Sequence, residues 1–80
     1  MDKSEIKSRL EKVIVCVLKV DPKEITPESN FAFDLGADSM QAVELIAAFE
    51  EEFNVEMDED KAREVQTVEG AVDFIAGYLK

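Results

Sequence analysis

Ser39 stands in the run Asp38-Ser39-Met40-Gln41, a hydroxyl beside a carboxylate at what reads as the start of a helix, and Cys16 is the single thiol of the chain. Nucleophilic use of either group needs a base. The sequence holds no histidine and no suitably placed lysine, so a serine or cysteine activated by imidazole is excluded. One cysteine cannot close an internal disulfide, and without histidine or a second thiol the usual zinc sites fall away, which leaves no metal of the chain's own. Asp58-Glu59-Asp60 lacks the glycine and the spaced ligands of an EF-hand loop. Cys16, inside an aliphatic run, reads as a small buried core residue in a reducing compartment, with the cytoplasm as the expected location. If Ser39 matters chemically, it is as a group that another protein modifies.

The residues around Ser39 set its position. Gly36 permits a sharp reversal, and Asp38 is a good helix N-cap with Gln41 three residues on, a variant of the capping box. Ser39 then falls in an exposed first turn, where an attached phosphate would lie near free backbone N–H groups and the positive end of the helix dipole. The helix itself runs from about Ser39 to Phe53, with Ala42, Leu45, Ile46, Phe49 and Phe53 as its apolar stripe.

Before it, a first amphipathic helix is predicted from a cap at Ser4, with Ile6, Leu10, Val13, Ile14, Val17 and Leu18 inward, ending near Asp21-Pro22. Residues 21–37 form a long loop pinned by Ile25, Phe31, Phe33 and Leu35, and loops of that length in compact domains usually have a function. A short third helix spans Asp58 to Val65, and Thr67 caps a last one carrying Val68 to Leu79. No strand pattern competes. The predicted fold is all-α: a small four-helix bundle, three longer helices and one short, with the long loop between helices 1 and 2.

Eighty residues with 46% hydrophobic side chains make one small domain, residues 1–80, and at this size only about 60% of the unfolded surface can be buried. An enclosed catalytic pocket would compete with stability. Acidic residues outnumber basic ones 19 to 9, and the excess is localised: residues 1–23 balance at +2 and residues 24–80 at −12. Such a surface repels phosphate backbones and anionic headgroups, so nucleic acid and membrane are disfavoured and basic proteins are the natural partners. The apolar stretch Val13–Leu18 is far too short to span a bilayer.

The run Asp34-Leu35-Gly36-Ala37-Asp38-Ser39-Met40, preceded by Phe31 and followed by Val43-Glu44-Leu45 and Glu50-Glu51-Glu52-Phe53, resembles the acyl carrier proteins, specifically the free-standing type of bacterial type II fatty acid synthesis. Ile25-Thr26-Pro27-Glu28 and Thr67-Val68 extend the likeness over nearly the whole chain. The resemblance implies a non-catalytic carrier. Ser39 would receive 4′-phosphopantetheine from coenzyme A through a magnesium-dependent phosphopantetheinyl transferase (a holo-acyl-carrier-protein synthase), with Asp38 helping to hold that enzyme's metal. The arm would carry acyl chains as thioesters to fatty acid synthesis enzymes. Asp34, Asp38, Glu44, Glu51, Glu52 and Glu56 would form the docking surface for basic patches of those enzymes, on a protein expected to be a monomer. Leu45, Ile46, Phe49, Met57, Ala62, Val65 and Ala71 match the lining of the acyl-chain pocket, and Met57 with the small alanines would make it deformable.

The chain departs from the family pattern at Phe33, Met40, Gln41, Ala47-Ala48, Lys19-Val20 and Asp58. These positions surround the attachment serine or shape the helices near it, and they leave room for a specialised carrier. Two alternatives stay open: a carrier of polyketide or aminoacyl intermediates, and an unmodified acidic domain that binds a basic protein.

Overall fold

Asp2, not Ser4, starts the first helix: its side chain accepts the Glu5 N–H at 2.9 Å, and α1 runs Lys3–Leu18 in the computed structural model, which describes residues 2–79. The acid two residues earlier wins because it caps the same first turn with a charge suited to the helix dipole. Ile6, Leu10, Val13 and Ile14 are buried, while Val17 and Leu18 are only half-buried at the fraying end. Cys16 is exposed, against the expectation of a core residue. At 3.6 residues per turn it lies roughly 100° round the helix from the centre of that stripe.

The helix also ends before Asp21-Pro22. Lys19 takes the left-handed conformation, φ 55°, and its N–H bonds the Val15 carbonyl at 2.9 Å. Glycine is the usual occupant of such a cap, so here the lysine carries a conformational cost. Pro22–Glu24 then makes a single 3₁₀ turn.

The remaining helices match their expected spans closely: α2 is Ser39–Phe53, α3 is Glu59–Glu64 between caps Asp58 and Val65, and α4 is Val68–Tyr78 after the Thr67 cap. The fold is all-helical, and among the described residues the only β pairing is an isolated bridge between Asn30 and Thr67. Leu45, Phe49 and Phe53 of α2 meet the α1 stripe and Val68, Ala71, Val72 and Ile75 of α4, with Ile25 and Leu35 closing the end from the loop. Each of these side chains other than Ala71, fully buried, is worth about 1.5–3 kcal/mol in transfer from water.

Two polar joints lock the helices. Arg9 donates from Nε to Glu52 Oε2 and from Nη2 to the Glu52 carbonyl, both at 2.6 Å, and its guanidinium lies 5.0 Å from the Phe53 ring centroid. Lys3 bonds Asp73 at 2.8 Å across α1 and α4, and that hydrogen bond, with the facing charge, holds the ammonium above its ordinary pKa.

The long loop is held to the α3–α4 connection by backbone hydrogen bonds: Phe31 N–H to Gln66 O at 2.9 Å, Val68 N–H to Ser29 O at 3.0 Å and Glu69 N–H to Pro27 O at 2.8 Å. Ser29 is buried beneath this clasp, its Oγ accepting the Thr26 N–H at 2.9 Å and donating to the Glu24 carbonyl at 3.2 Å. No helix among the described residues is long and apolar enough to cross a membrane.

Candidate functional site

The approach to Ser39 is wound around one side chain. Asn30 Oδ1 accepts the N–H groups of Ala32 and Phe33 at 2.9 and 3.0 Å, and the Asp34 carboxylate returns to the Asn30 N–H at 2.7 Å. Leu35 and Phe31, four residues apart, turn inward, the one buried and the other half-buried. Phe33, between them, points out and is 90% exposed, which corrects its expected role as a loop anchor. Gly36 then adopts φ 73°, the reversal expected of it, and Ala37 N–H closes on the Phe31 carbonyl at 2.8 Å.

The capping box is complete. Asp38 Oδ1 accepts the Gln41 N–H at 2.8 Å, and Gln41 Oε1 accepts the Asp38 N–H at 3.3 Å. Ser39 follows as the first helical residue and is exposed, as are Asp38 and Met40. Its hydroxyl therefore faces outward at the positive end of a 15-residue helix. An anionic group joined to it meets first-turn N–H donors, so the site suits a phosphodiester. Among the described residues no group of three His, Cys, Asp or Glu side chains is arranged to hold a metal ion.

The acidic residues expected to face partners divide into two kinds. Glu44, Glu51 and Glu56 are exposed, and Met40, Glu44, Ala47 and Glu51 recur at helical spacing along one open face of α2. Asp34 and Asp38 are exposed too, although their carboxylates also hold the loop and the cap. Glu52 sits differently: it is half-buried and engaged with Arg9 on the α1 side.

Between α2, α3 and α4 lies a cleft of about 70 Å³, bordered on α2 from Ala42 to Phe49. All seven residues expected to line a pocket, Leu45, Ile46, Phe49, Met57, Ala62, Val65 and Ala71, border it together. Phe31, Ala42, Phe74, Ile75 and Arg63 border it as well. Ala42, Phe74 and Ile75 are legible as members of apolar stripes, and Phe31 as an anchor, but no sequence signal set Arg63 apart from an exposed helical charge. Met57 is held in place by its own N–H bonding Glu50 Oε2 at 2.9 Å, and Asp58 N–H bonds the Tyr78 hydroxyl at 3.0 Å, tying the start of α3 to the end of α4.

Comparison with known proteins gives a match to the phosphopantetheine attachment site family over residues 8–75. Acyl carrier protein 2, mitochondrial, of Arabidopsis thaliana is 45% identical over 78 residues, 98% of this chain but 62% of the relative, so the chain spans less than two thirds of that protein's length. The acyl carrier protein of Thermosynechococcus vestitus is 45% identical over 75 residues, 94% of this chain and 93% of the relative.

Proposed function

The chain belongs to the acyl carrier proteins of the phosphopantetheine attachment family, and on that premise we propose that residues 1–80 are one carrier domain that bears its arm on Ser39 and delivers acyl chains to fatty acid synthesis enzymes. It is a carrier and not a catalyst. The observation that carries the site assignment is the exposed Ser39 at the first position of α2, behind the closed Asp38–Gln41 capping box. A transferase can reach that hydroxyl without unfolding anything, and Asp38 stands beside it for the transferase's metal.

When attached, 4′-phosphopantetheine supplies a terminal thiol that holds an acyl group as a thioester. The chain's own residues do the rest. First-turn N–H groups of α2 suit the phosphodiester, the apolar cleft offers a sheltered place for the first carbons of a cargo, and Glu44, Glu51 and Glu56 present charge to basic enzyme surfaces. Electrostatic docking of this kind gives fast association and ready release, and it weakens with salt. We place the protein in the cytoplasm because a lone exposed thiol suits a reducing compartment.

Intact mass after incubation with coenzyme A, magnesium and a broad-specificity phosphopantetheinyl transferase tests the assignment. One arm is expected on the wild type and none on Ser39→Ala. Addition that survives Ser39→Ala would overturn the site, and no addition to the wild type would overturn the carrier reading.

A further inference from the structure

The cleft is apolar except at one point. Of the residues that border it, Arg63 is the charged one; the others are aliphatic, aromatic or, at Met57, a thioether. Its side chain borders the cleft and is still 55% exposed, as suits a residue with an apolar stem and a charged head. Nη2 donates to Glu59 Oε1 at 2.7 Å, one turn back on α3. Both partners are more than half exposed, so the pair is worth at most a few-fold in an equilibrium and is easily exchanged. What the guanidinium already holds is a carboxylate, the acceptor its fork fits best.

Arg63 shares the border of the cleft with residues close in the chain to Ser39. Phe31, which borders the cleft with it, is hydrogen-bonded to Gln66 just after α3, and Ala42, also on the border, is one turn into the helix that Ser39 begins. A cargo carboxylate elsewhere near the attachment serine would meet Asp34, Asp38 and Glu44. At the cleft rim it meets a cation.

Resting on the reading that Ser39 bears the arm, we propose that Arg63 is a specificity-determining residue that favours short acyl chains ending in a carboxylate over methyl-ended chains of equal length. The methylenes occupy the cleft and the carboxylate replaces Glu59 on the guanidinium. The cleft is small, about 70 Å³, and so suits short chains. A glutaryl group, with three methylenes between its two carbonyl carbons, is a short carboxylate-ended cargo of this kind.

The test loads the protein with glutaryl or valeryl arms, joined through an amide so that neither hydrolysis nor cyclisation intervenes. Hydrogen exchange at the Ala62 and Val65 amides and the Arg63 Nε–H resonance are then compared. In the wild type the glutaryl arm is expected to slow exchange roughly threefold relative to valeryl and to shift the Arg63 resonance, in keeping with an exposed ion pair. Arg63→Met should erase the difference and leave the valeryl form unchanged. Glu59→Gln, which frees the guanidinium, should widen it. If Arg63 served only to steady α3 through Glu59, both variants would behave alike, and that result would overturn the proposal, as would equal protection by the two arms in the wild type. Failure to attach any arm at Ser39 is read separately by mass, and would remove the carrier reading and this proposal with it.

Discussion

Replacing Arg9 by methionine keeps an unbranched apolar stem against α2 and removes the guanidinium that joins α1 to the end of that helix. The loss is worked from its contacts. The Glu52 carboxylate, at 2.6 Å but about a third exposed, contributes about 0.5–1 kcal/mol after allowance for solvent. The bond to the Glu52 carbonyl adds about 1 kcal/mol, since it satisfies an orphan acceptor of the last helical turn with a charged donor. The cation over Phe53 at 5.0 Å adds about 0.5–1 kcal/mol. Arg9→Met should therefore cost about 2–3 kcal/mol, or roughly 10–20 °C in Tm for a domain of this size. Glu52→Gln removes only the charge and should cost about 0.5 kcal/mol. Urea unfolding followed by circular dichroism, at low salt and at 1 M NaCl, separates the contributions: screening should remove the ion pair but leave most of the Arg9→Met effect. A cost below 0.5 kcal/mol, or one that vanishes at high salt, would show that Arg9 is an ordinary surface charge and refute the assignment.

Lys19→Gly should stabilise the protein by about 0.5–1 kcal/mol, because glycine reaches φ 55° without a Cβ clash, even after its greater unfolded-state entropy is counted; a lower urea midpoint would contradict this. Ser29→Ala leaves the Thr26 N–H and the Glu24 carbonyl without their partner under the clasp and should cost about 1–2 kcal/mol, measured in the same way. Glu44→Lys and Glu52→Lys should have opposite signatures: the first weakens binding to a basic partner enzyme several-fold at low salt with little change in Tm, and the second lowers Tm by repelling Arg9. Equal effects of the two on binding would mean that Glu52 also faces the partner.

The α2 stripe and the Asp38–Gln41 pattern were legible in the sequence because helical periodicity and capping are local rules. They placed Ser39 outward and gathered the cleft residues from α2. Where the expectation failed, a competing local choice or a tertiary contact decided. Asp2 outcompeted Ser4 for the same turn, and Cys16 kept aliphatic neighbours in sequence while lying off the buried face. Phe33 has the composition of an anchor, but Asn30 winds the loop so that residues 32–34 point out between the inward Phe31 and Leu35. Lys19 gave no sign of a left-handed cap because that conformation is normally announced by glycine or asparagine. Ser29 was silent for another reason: its burial exists only once the loop meets the α3–α4 connection, some forty residues away in the chain. Arg63 likewise borders a cleft that no single helix makes.

That long separation has a kinetic consequence. Joining residues 27–31 to residues 66–69 closes a ring of about forty residues, and the entropy of closure, about 3 kcal/mol, roughly cancels what its three backbone bonds return by themselves. The ring therefore closes after α1, α2 and α4 have docked, and substitutions along it should change the unfolding rate more than the folding rate. Six-residue α3, which has no buried residue of its own, is carried inside that ring. It is the portion of the molecule with the least to lose by opening alone, so a sub-global fluctuation can swing one wall of the cleft while the three longer helices remain folded.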